Sequence, residues 1–334
     1  MSNRKLRWGI LGVAHINQRL LPAFKASSTV DLKAIASRSL EKAREAATRD
    51  GIPTAFGSYE ELLRSPDIDA VYIPLPNHLH DEWTRKAADA GKHILCEKPL
   101  TVNADDAAKL VAYCRSKNVR LMDGFMWPHH PRTHKLKKFL NDGGIGDVQK
   151  VNAAFTFQLA GLPTGNIRMQ PEAGGGGLLD VGCYTTFAIR YWMGVEPVKV
   201  FASATFVNDV DVAMSGVMTF ADGRTANFDC GFTHPLRTWV EIVGTTGIVR
   251  IPNLWIPDDF ACFKVTKQSG DFDSKDETIG TPGENQMVHM LDDFAAAVFE
   301  GRDPVPSPDE AVKTGRVMDA LAKSARSGRE ETVN

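Results

Sequence analysis

Apolar positions in the first third of the chain come as short unbroken runs separated by segments with helical spacing. Leu6–Leu11 is such a run, ending in Gly12, and a helical pattern follows over residues 16–24. Val30–Ala36, Ala70–Ile73, His93–Cys96 and residues 119–122 repeat the run; residues 40–49, 83–90 and 105–117 repeat the helical pattern. Strands alternating with helices predict a parallel, doubly wound sheet. Ligands of such a sheet bind outside the carboxyl ends of its strands, here residues 12–17, 37–39, 74–78, 97–99 and 123–125.

The pattern changes after a helix at 132–140, closed by Gly143 and Gly144. Strand patterns follow at 148–157, 198–207, 212–220, 225–231, 240–243, 248–251 and 260–266. Asp222-Gly223 is a hairpin signal, and Thr245-Thr246 between Gly244 and Gly247 marks a second turn. Residues 173–191 form a helix-bearing insertion after the first of these strands. Ser307-Pro308-Asp309-Glu310 reads as a capping box with proline at the first helical position, opening a last helix over 311–325. The expected fold class is α/β: a Rossmann-type parallel sheet over 1–124, then an α+β domain over 125–334 with a large, open, mostly antiparallel sheet.

Composition narrows this picture. A length of 334 residues exceeds what one core usually serves, so two domains are expected. A net charge of -2 and the lack of a long basic run argue against a nucleic-acid surface. Cys96, Cys114, Cys183, Cys230 and Cys262 are scattered, with neither zinc-ligand spacing nor a disulfide pattern. The segment beginning Met1-Ser2-Asn3 lacks the long apolar core of a signal peptide, and no stretch is long enough to span a bilayer. A cytoplasmic protein with no membrane partner is expected.

Candidate chemistry lies at the strand ends. Gly12 opens a strand–turn–helix, but Ala14 and Asn17 stand where G-x-G-x-x-G has its other glycines. Alanine still permits close approach of a pyrophosphate, and the helix start offers amide donors to it. The second strand ends Ala36-Ser37-Arg38-Ser39, with no acid before Glu41. A guanidinium flanked by hydroxyls suits a 2′-phosphate, which predicts NADP, with NAD as the alternative. Lys98 precedes Pro99, which disfavours helical geometry and leaves the lysine extended at a strand end.

In the second half, Gly174, Gly175, Gly176 and Gly177 let the backbone approach a ligand or another backbone. The helix read after them carries Asp180 and Tyr184 four positions apart, stacked on one face. A phenol works as proton donor at neutral pH when a cation stabilises its ionised form, and Lys98 is the expected cation. Arg168, just before the glycines, could reach a sugar hydroxyl or a phosphate. His129, His130 and His134 cluster without convincing ligand spacing, so no metal is expected. Trp127 and Trp255 are expected to pack in the core.

These motifs resemble the glucose–fructose oxidoreductase/inositol dehydrogenase family (Gfo/Idh/MocA). The matching pieces are G-I-L-G-V-A at 9–14, P-L-P-N-H-L-H at 74–80, A-G-K-H-I-L-C-E-K-P-L at 90–100, D-G-F-M at 123–126 and G-G-G-L-L-D-V-G-C-Y at 175–184. The resemblance implies that Lys98 and Asp180 are catalytic or substrate-binding. Tyr184 looks like the branch of glucose–fructose oxidoreductase, dimeric dihydrodiol dehydrogenase and sugar 3-ketoreductases, where inositol dehydrogenases have histidine. Two departures stand out: Ala14 in the fingerprint, and Asp123 followed by W-P-H-H at 127–130, where the family often has glutamate and a nearby arginine.

The expected protein is an NADP-dependent oxidoreductase that moves a hydride between nicotinamide and a carbonyl or hydroxyl carbon of a sugar-like substrate. Lys98, Tyr184 and Asp180 form the expected catalytic set. The expected cofactor set is Gly12, Ala14, His15, Ile16, Ser37, Arg38, Pro74, Leu75, Pro76, Asn77, His80, Glu97, Lys98, Asp123 and Arg168. Family members cover the open sheet by pairing subunits, which implies a homodimer or homotetramer. The alternatives are a sugar hydrolase or lyase that retains NAD(P) and oxidises transiently, and a cofactor-sensing regulator of the same fold.

Overall fold

In a computed structural model, which describes residues 4–257, 260–270 and 273–334, six short parallel strands carry the first third of the chain. The N-terminal reading on Met1, Ser2 and Asn3 lies outside the described residues. The elements are β1 (Leu6–Leu11), α1 (Asn17–Ala26), β2 (Val30–Ala36), α2 (Leu40–Asp50), β3 (Thr54–Phe56), α3 (Tyr59–Arg64), β4 (Ala70–Ile73), α4 (His80–Asp89), β5 (His93–Cys96), α5 (Ala104–Ser116) and β6 (Leu121–Asp123). Their order in the sheet is β3-β2-β1-β4-β5-β6, with every pairing parallel. Side chains of Ser39, Ser58 and Asn103 accept backbone N–H groups at the starts of α2, α3 and α5. Each such cap is worth about 1 kcal/mol.

The second sheet begins after α6 (Pro131–Asn141) with β7 (Val148–Gln158). A π-helical turn, Leu178–Gly182, then runs directly into α7 (Cys183–Met193). The α-helical register expected between Asp180 and Tyr184 is corrected accordingly: the turn that carries Asp180 is wider, with i→i+5 bonding. The strands that follow are β8 (Pro197–Val207), β9 (Val210–Phe220), β10 (Thr225–Gly231), β11 (Thr233–Arg237), β12 (Val240–Gly244), β13 (Gly247–Ile251), β14 (Phe260–Gln268) and β15 (Ser274–Pro282). The Asp222-Gly223 hairpin forms as read: Gly223 takes φ +87 and its N–H donates to Phe220 O at 3.0 Å.

The chain then forms α8 (Gln286–Glu300), α9 (Asp309–Ser327) and β16 (Glu331–Thr332). The ten-stranded sheet runs β15-β14-β13-β12-β7-β10-β9-β8-β16, with β11 also on β7. Among the described strand pairings within it, only β7–β10 is parallel. α9 starts at Asp309, whose N–H donates to Ser307 Oγ at 3.3 Å.

Packing divides the chain into two units: Met1–Met126 with Asn285–Val312, and Trp127–Glu284 with Lys313–Asn334. α8 belongs to the first unit because Phe294 packs 5.1 Å from the buried Trp8 ring. Asp292 also accepts the hydroxyls of Ser27 and Thr29 at 2.6 and 2.5 Å. In the second unit α7 is buried almost along its whole length against the sheet. On the sheet's outer face a polar row crosses the strands: Asn227 bonds Asn152, Asn152 bonds Glu241, Arg250 bonds Glu241 and Thr266, and Thr266 bonds Asp276. Among the described residues, no helix is long and apolar enough to cross a membrane.

Candidate active site

The turn after β1 is shaped by Gly12, at φ +129, where a Cβ would meet the Leu75 side chain at 3.1 Å. Asn17, in place of the fingerprint's last glycine, is buried and donates from Nδ2 to the Gly12 carbonyl at 2.8 Å. The side chain thus holds the turn closed. The backbone N–H groups of Val13, Ala14 and His15 form no hydrogen bond with any described residue. With Ile16 at the start of α1, they make a row of open donors of the kind that binds phosphate.

At the end of β2 the two hydroxyls hold the backbone: Ser37 Oγ accepts from Ser39 N at 3.3 Å, and Ser39 Oγ accepts from Lys42 N at 3.4 Å. Arg38 is exposed and forms no ion pair with any described residue. Its guanidinium is available to an anionic ligand.

Pro74, Leu75, Pro76 and Asn77 follow β4. His80, expected among the cofactor contacts, is wholly buried, and both ring nitrogens face backbone carbonyls: Nδ1 to Pro99 O at 2.9 Å and Nε2 to Leu75 O at 2.8 Å. It ties the loop after β4 to the loop after β5. Burial lowers its pKa, against the opposing pull of the two carbonyls. Lys98 follows β5. Its neighbour Glu97 accepts from Tyr72 Oη at 2.6 Å and from Lys98 N at 3.3 Å. Asp123 ends β6, paired in register with Cys96. Burial, then the Glu97 charge, pushes its carboxyl up to about 8, while Lys98 and the Gly124 N–H pull it down.

In the second unit Gly175 and Gly177 lie where other backbone approaches closely. A Cβ on Gly175 would lie 2.6 Å from Arg168 O and 2.8 Å from Gln170 O. One on Gly177 would lie 3.0 Å from Gly231 Cα. Gly176 N donates to Arg168 O at 3.0 Å, so the run wraps the Arg168 backbone. Arg168 Nε in turn donates to Asp180 Oδ2 at 2.6 Å, with the Phe157 ring 5.8 Å from the guanidinium. Tyr184 is 6% exposed, edge-on to Phe155 at 5.2 Å and 5.6 Å from Trp255. Trp127 and Trp255 are buried, as read.

Sequence reasoning missed Asp211, Tyr72 and Phe157. Asp211 Oδ2 accepts Leu178 N at 2.6 Å and so caps the π-helical turn, while burial lifts its carboxyl to about 6. No local pattern marks it, since it is one acid in a strand of alternating apolar residues. His130 caps α6 by accepting Arg132 N at Nδ1. Among the described residues, no three His, Cys, Asp or Glu side chains are placed to hold a metal ion.

An open N–H row on a β3-β2-β1-β4-β5-β6 parallel sheet, with a lysine at one of its strand ends, is the build of a dinucleotide-dependent oxidoreductase. The chain belongs to the GFO/IDH/MocA family: residues 6–125 match its oxidoreductase domain with NAD-binding Rossmann fold, and residues 133–250 match its C-terminal domain. It is 38% identical to D-xylose 1-dehydrogenase (NADP(+)) 2 of Haloferax volcanii, over 97% of this chain and 98% of the relative. It is 35% identical to trans-1,2-dihydrobenzene-1,2-diol dehydrogenase of Xenopus tropicalis, over 75% and 77%. Among solved structures, a 3-ketoreductase from Actinomadura kijaniata in complex with NADP and TDP-benzene superposes with a TM-score of 0.88 at 32% identity, over 96% and 98%.

Proposed function

We propose that this chain is an NADP-dependent oxidoreductase acting on a carbonyl or secondary alcohol of a sugar or sugar-like molecule, with Lys98, Tyr184 and Asp180 as its catalytic side chains. The observation that carries the reading is one row of strand ends. Open N–H donors at Val13, Ala14 and His15, the unpaired Arg38 guanidinium and the Lys98 ammonium follow β1, β2 and β5 of the same sheet. The N–H donors would hold the pyrophosphate and Arg38 the 2′-phosphate. When bound, the nicotinamide supplies the hydride in reduction and accepts it in oxidation.

In the reductive direction Lys98 polarises the substrate oxygen and Tyr184 gives it a proton as the carbon gains hydride. Asp180, held by Arg168, accepts a neighbouring substrate hydroxyl. The reverse direction uses the same groups, with Tyr184 taking the proton. A sugar substrate is supported by the xylose dehydrogenase and ketoreductase relatives. We further propose a homo-oligomer in which a second copy covers the outer face of the large sheet, where Phe201 and Val217 are exposed. All five cysteines are thiols, which fits a reducing, cytoplasmic setting.

A panel of aldoses, keto sugars and nucleotide sugars, followed by NADPH absorbance in both directions, tests the function. Turnover with at least one is expected. Failure with all of them, together with cofactor that stays bound through gel filtration, would point to transient oxidation instead.

A further inference from the structure

We propose that Glu97 and Asp123 hold one proton between them beside Lys98, and that this shared proton makes Asp123 a positioning residue for the ammonium. Its kinetic consequence rests on the hydride-transfer reading above; the proton itself does not.

The two carboxyl groups sit at the ends of adjacent strands, because Asp123 is paired with Cys96, the residue before Glu97. Gly124 presses the chain against Glu97: a Cβ there would meet Cys96 O at 2.9 Å and Glu97 Cδ at 3.5 Å. The donors are unequally shared. Glu97 receives the Tyr72 hydroxyl at 2.6 Å and the Lys98 N–H at 3.3 Å, which favour its ionised form. Among the described residues Asp123 receives only the Gly124 N–H, and its Oδ1 is buried with no hydrogen-bond partner. Neighbouring carboxyl groups in a buried site do not both ionise cheaply, so the proton resides on the carboxyl with fewer donors.

The other titratable groups around the pair are few. β5 contributes the Cys96 thiol, held neutral by burial, and β4 contributes Tyr72 as a donor. Lys98 is the cation acting on Asp123, and its charge also lowers the buried His80. Asp123 is accordingly raised to about 8. Below that value one negative charge faces Lys98, and above it there are two. The second charge draws the ammonium toward the carboxylates and away from a substrate oxygen, so reduction should weaken as the last proton leaves.

Two measurements test this on the full chain. The first follows the Asp123 carboxyl by 13C NMR, assigned by its loss in Asp123→Asn, from about pH 5 to about pH 10. A midpoint near 8, moving upward in Tyr72→Phe, is expected, because losing that donor makes the pair hold its proton more tightly. An Asp123 carboxyl already ionised at neutral pH overturns the proposal, whether or not a substrate is known. The second is the pH profile of kcat/KM. The wild type should lose activity along a limb near the same midpoint, Asp123→Asn should lack that limb whatever its plateau, and Tyr72→Phe should shift it upward. A protonated Asp123 with no such limb in the wild type overturns the positioning role.

Discussion

Arg168 donates from Nε to Asp180 Oδ2 at 2.6 Å, and the Arg168 carbonyl accepts the N–H of Gly176 from the same glycine run that leads into Asp180. The carboxylate's position therefore depends on a guanidinium twelve residues upstream. Arg168→Met should lower kcat/KM on the order of tenfold or more, equal to about 1.4 kcal/mol. Arg168→Lys should recover only part of it, because an ammonium cannot reproduce the planar fork. Steady-state kinetics with the first substrate found decides this, and unchanged kcat/KM in Arg168→Met would detach Asp180 from the reaction.

Lys98 and Tyr184 are expected to act as a unit. Lys98→Met should abolish most turnover yet leave NADPH affinity within about tenfold. Tyr184→Phe should cost on the order of a hundredfold, the usual range for general acid–base catalysis. The double variant should be scarcely worse than the worse single one. Near-wild-type turnover in Tyr184→Phe would assign the proton to another donor.

Cofactor choice is expected to follow Arg38. The charge-assisted bonds it would make to a 2′-phosphate are worth about 1.5–3 kcal/mol. Arg38→Ala should thus weaken NADPH by roughly ten- to a hundredfold while NADH changes little. Calorimetric titration of both cofactors reads the difference, and equal losses for the two would dismiss a 2′-phosphate role.

Asp211 gives a pH signature in stability. Its folded value of about 6 lies above the ordinary carboxyl value of about 3.9. A raised carboxyl stabilises the fold fully below the unfolded value, and that contribution is lost as pH climbs through the folded value. The Tm of Asp211→Asn, relative to wild type, should therefore rise from about pH 4 to beyond about pH 6 and then level off. A difference that stays flat across this window would count against the raised carboxyl.

Association through the outer sheet face is expected to break with charge. Phe201 is 45% exposed and Val217 37%. Phe201→Glu with Val217→Lys should shift sedimentation toward the monomer without lowering Tm. A wild type that already sediments as a monomer at micromolar concentration would remove the proposal.

Much of this was legible in the sequence because buried strands and amphipathic helices leave strong local periods. β1, β2, β4, β5 and β10 have the extents read from the apolar runs. Elements with weak patterns were not legible. β3 and α3 are short, three and six residues, and β15 is a nearly fully exposed edge strand without apolar alternation. The strand read at 119–122 is Leu121–Asp123, which makes Asp123 a strand end and brings it beside Glu97. The spacing of Asp180 and Tyr184 was visible, but the π-helical turn was not. Close contacts of Gly177 with Gly231 and Asp211, distant in sequence, accompany that turn. His80 illustrates the opposite limit: its motif marked a site, and its buried ring joins the loops after β4 and β5 through two carbonyls, a contact that no local pattern announces.

The return of Asn285–Val312 to the first unit sets an order of events during synthesis. Trp8 emerges from the ribosome early, but its partner Phe294 follows only after residues 127–284 have been made. At about 5–20 residues per second that interval is roughly ten seconds or more. The nascent first unit waits through it with the Trp8 side of β1 lacking α8, while β7 to β15 of the large sheet have already been made. Contacts of such long sequence separation slow folding and leave apolar surface open to aggregation. A chain truncated before residue 285 would remain in that unfinished state, with Trp8 uncovered by Phe294.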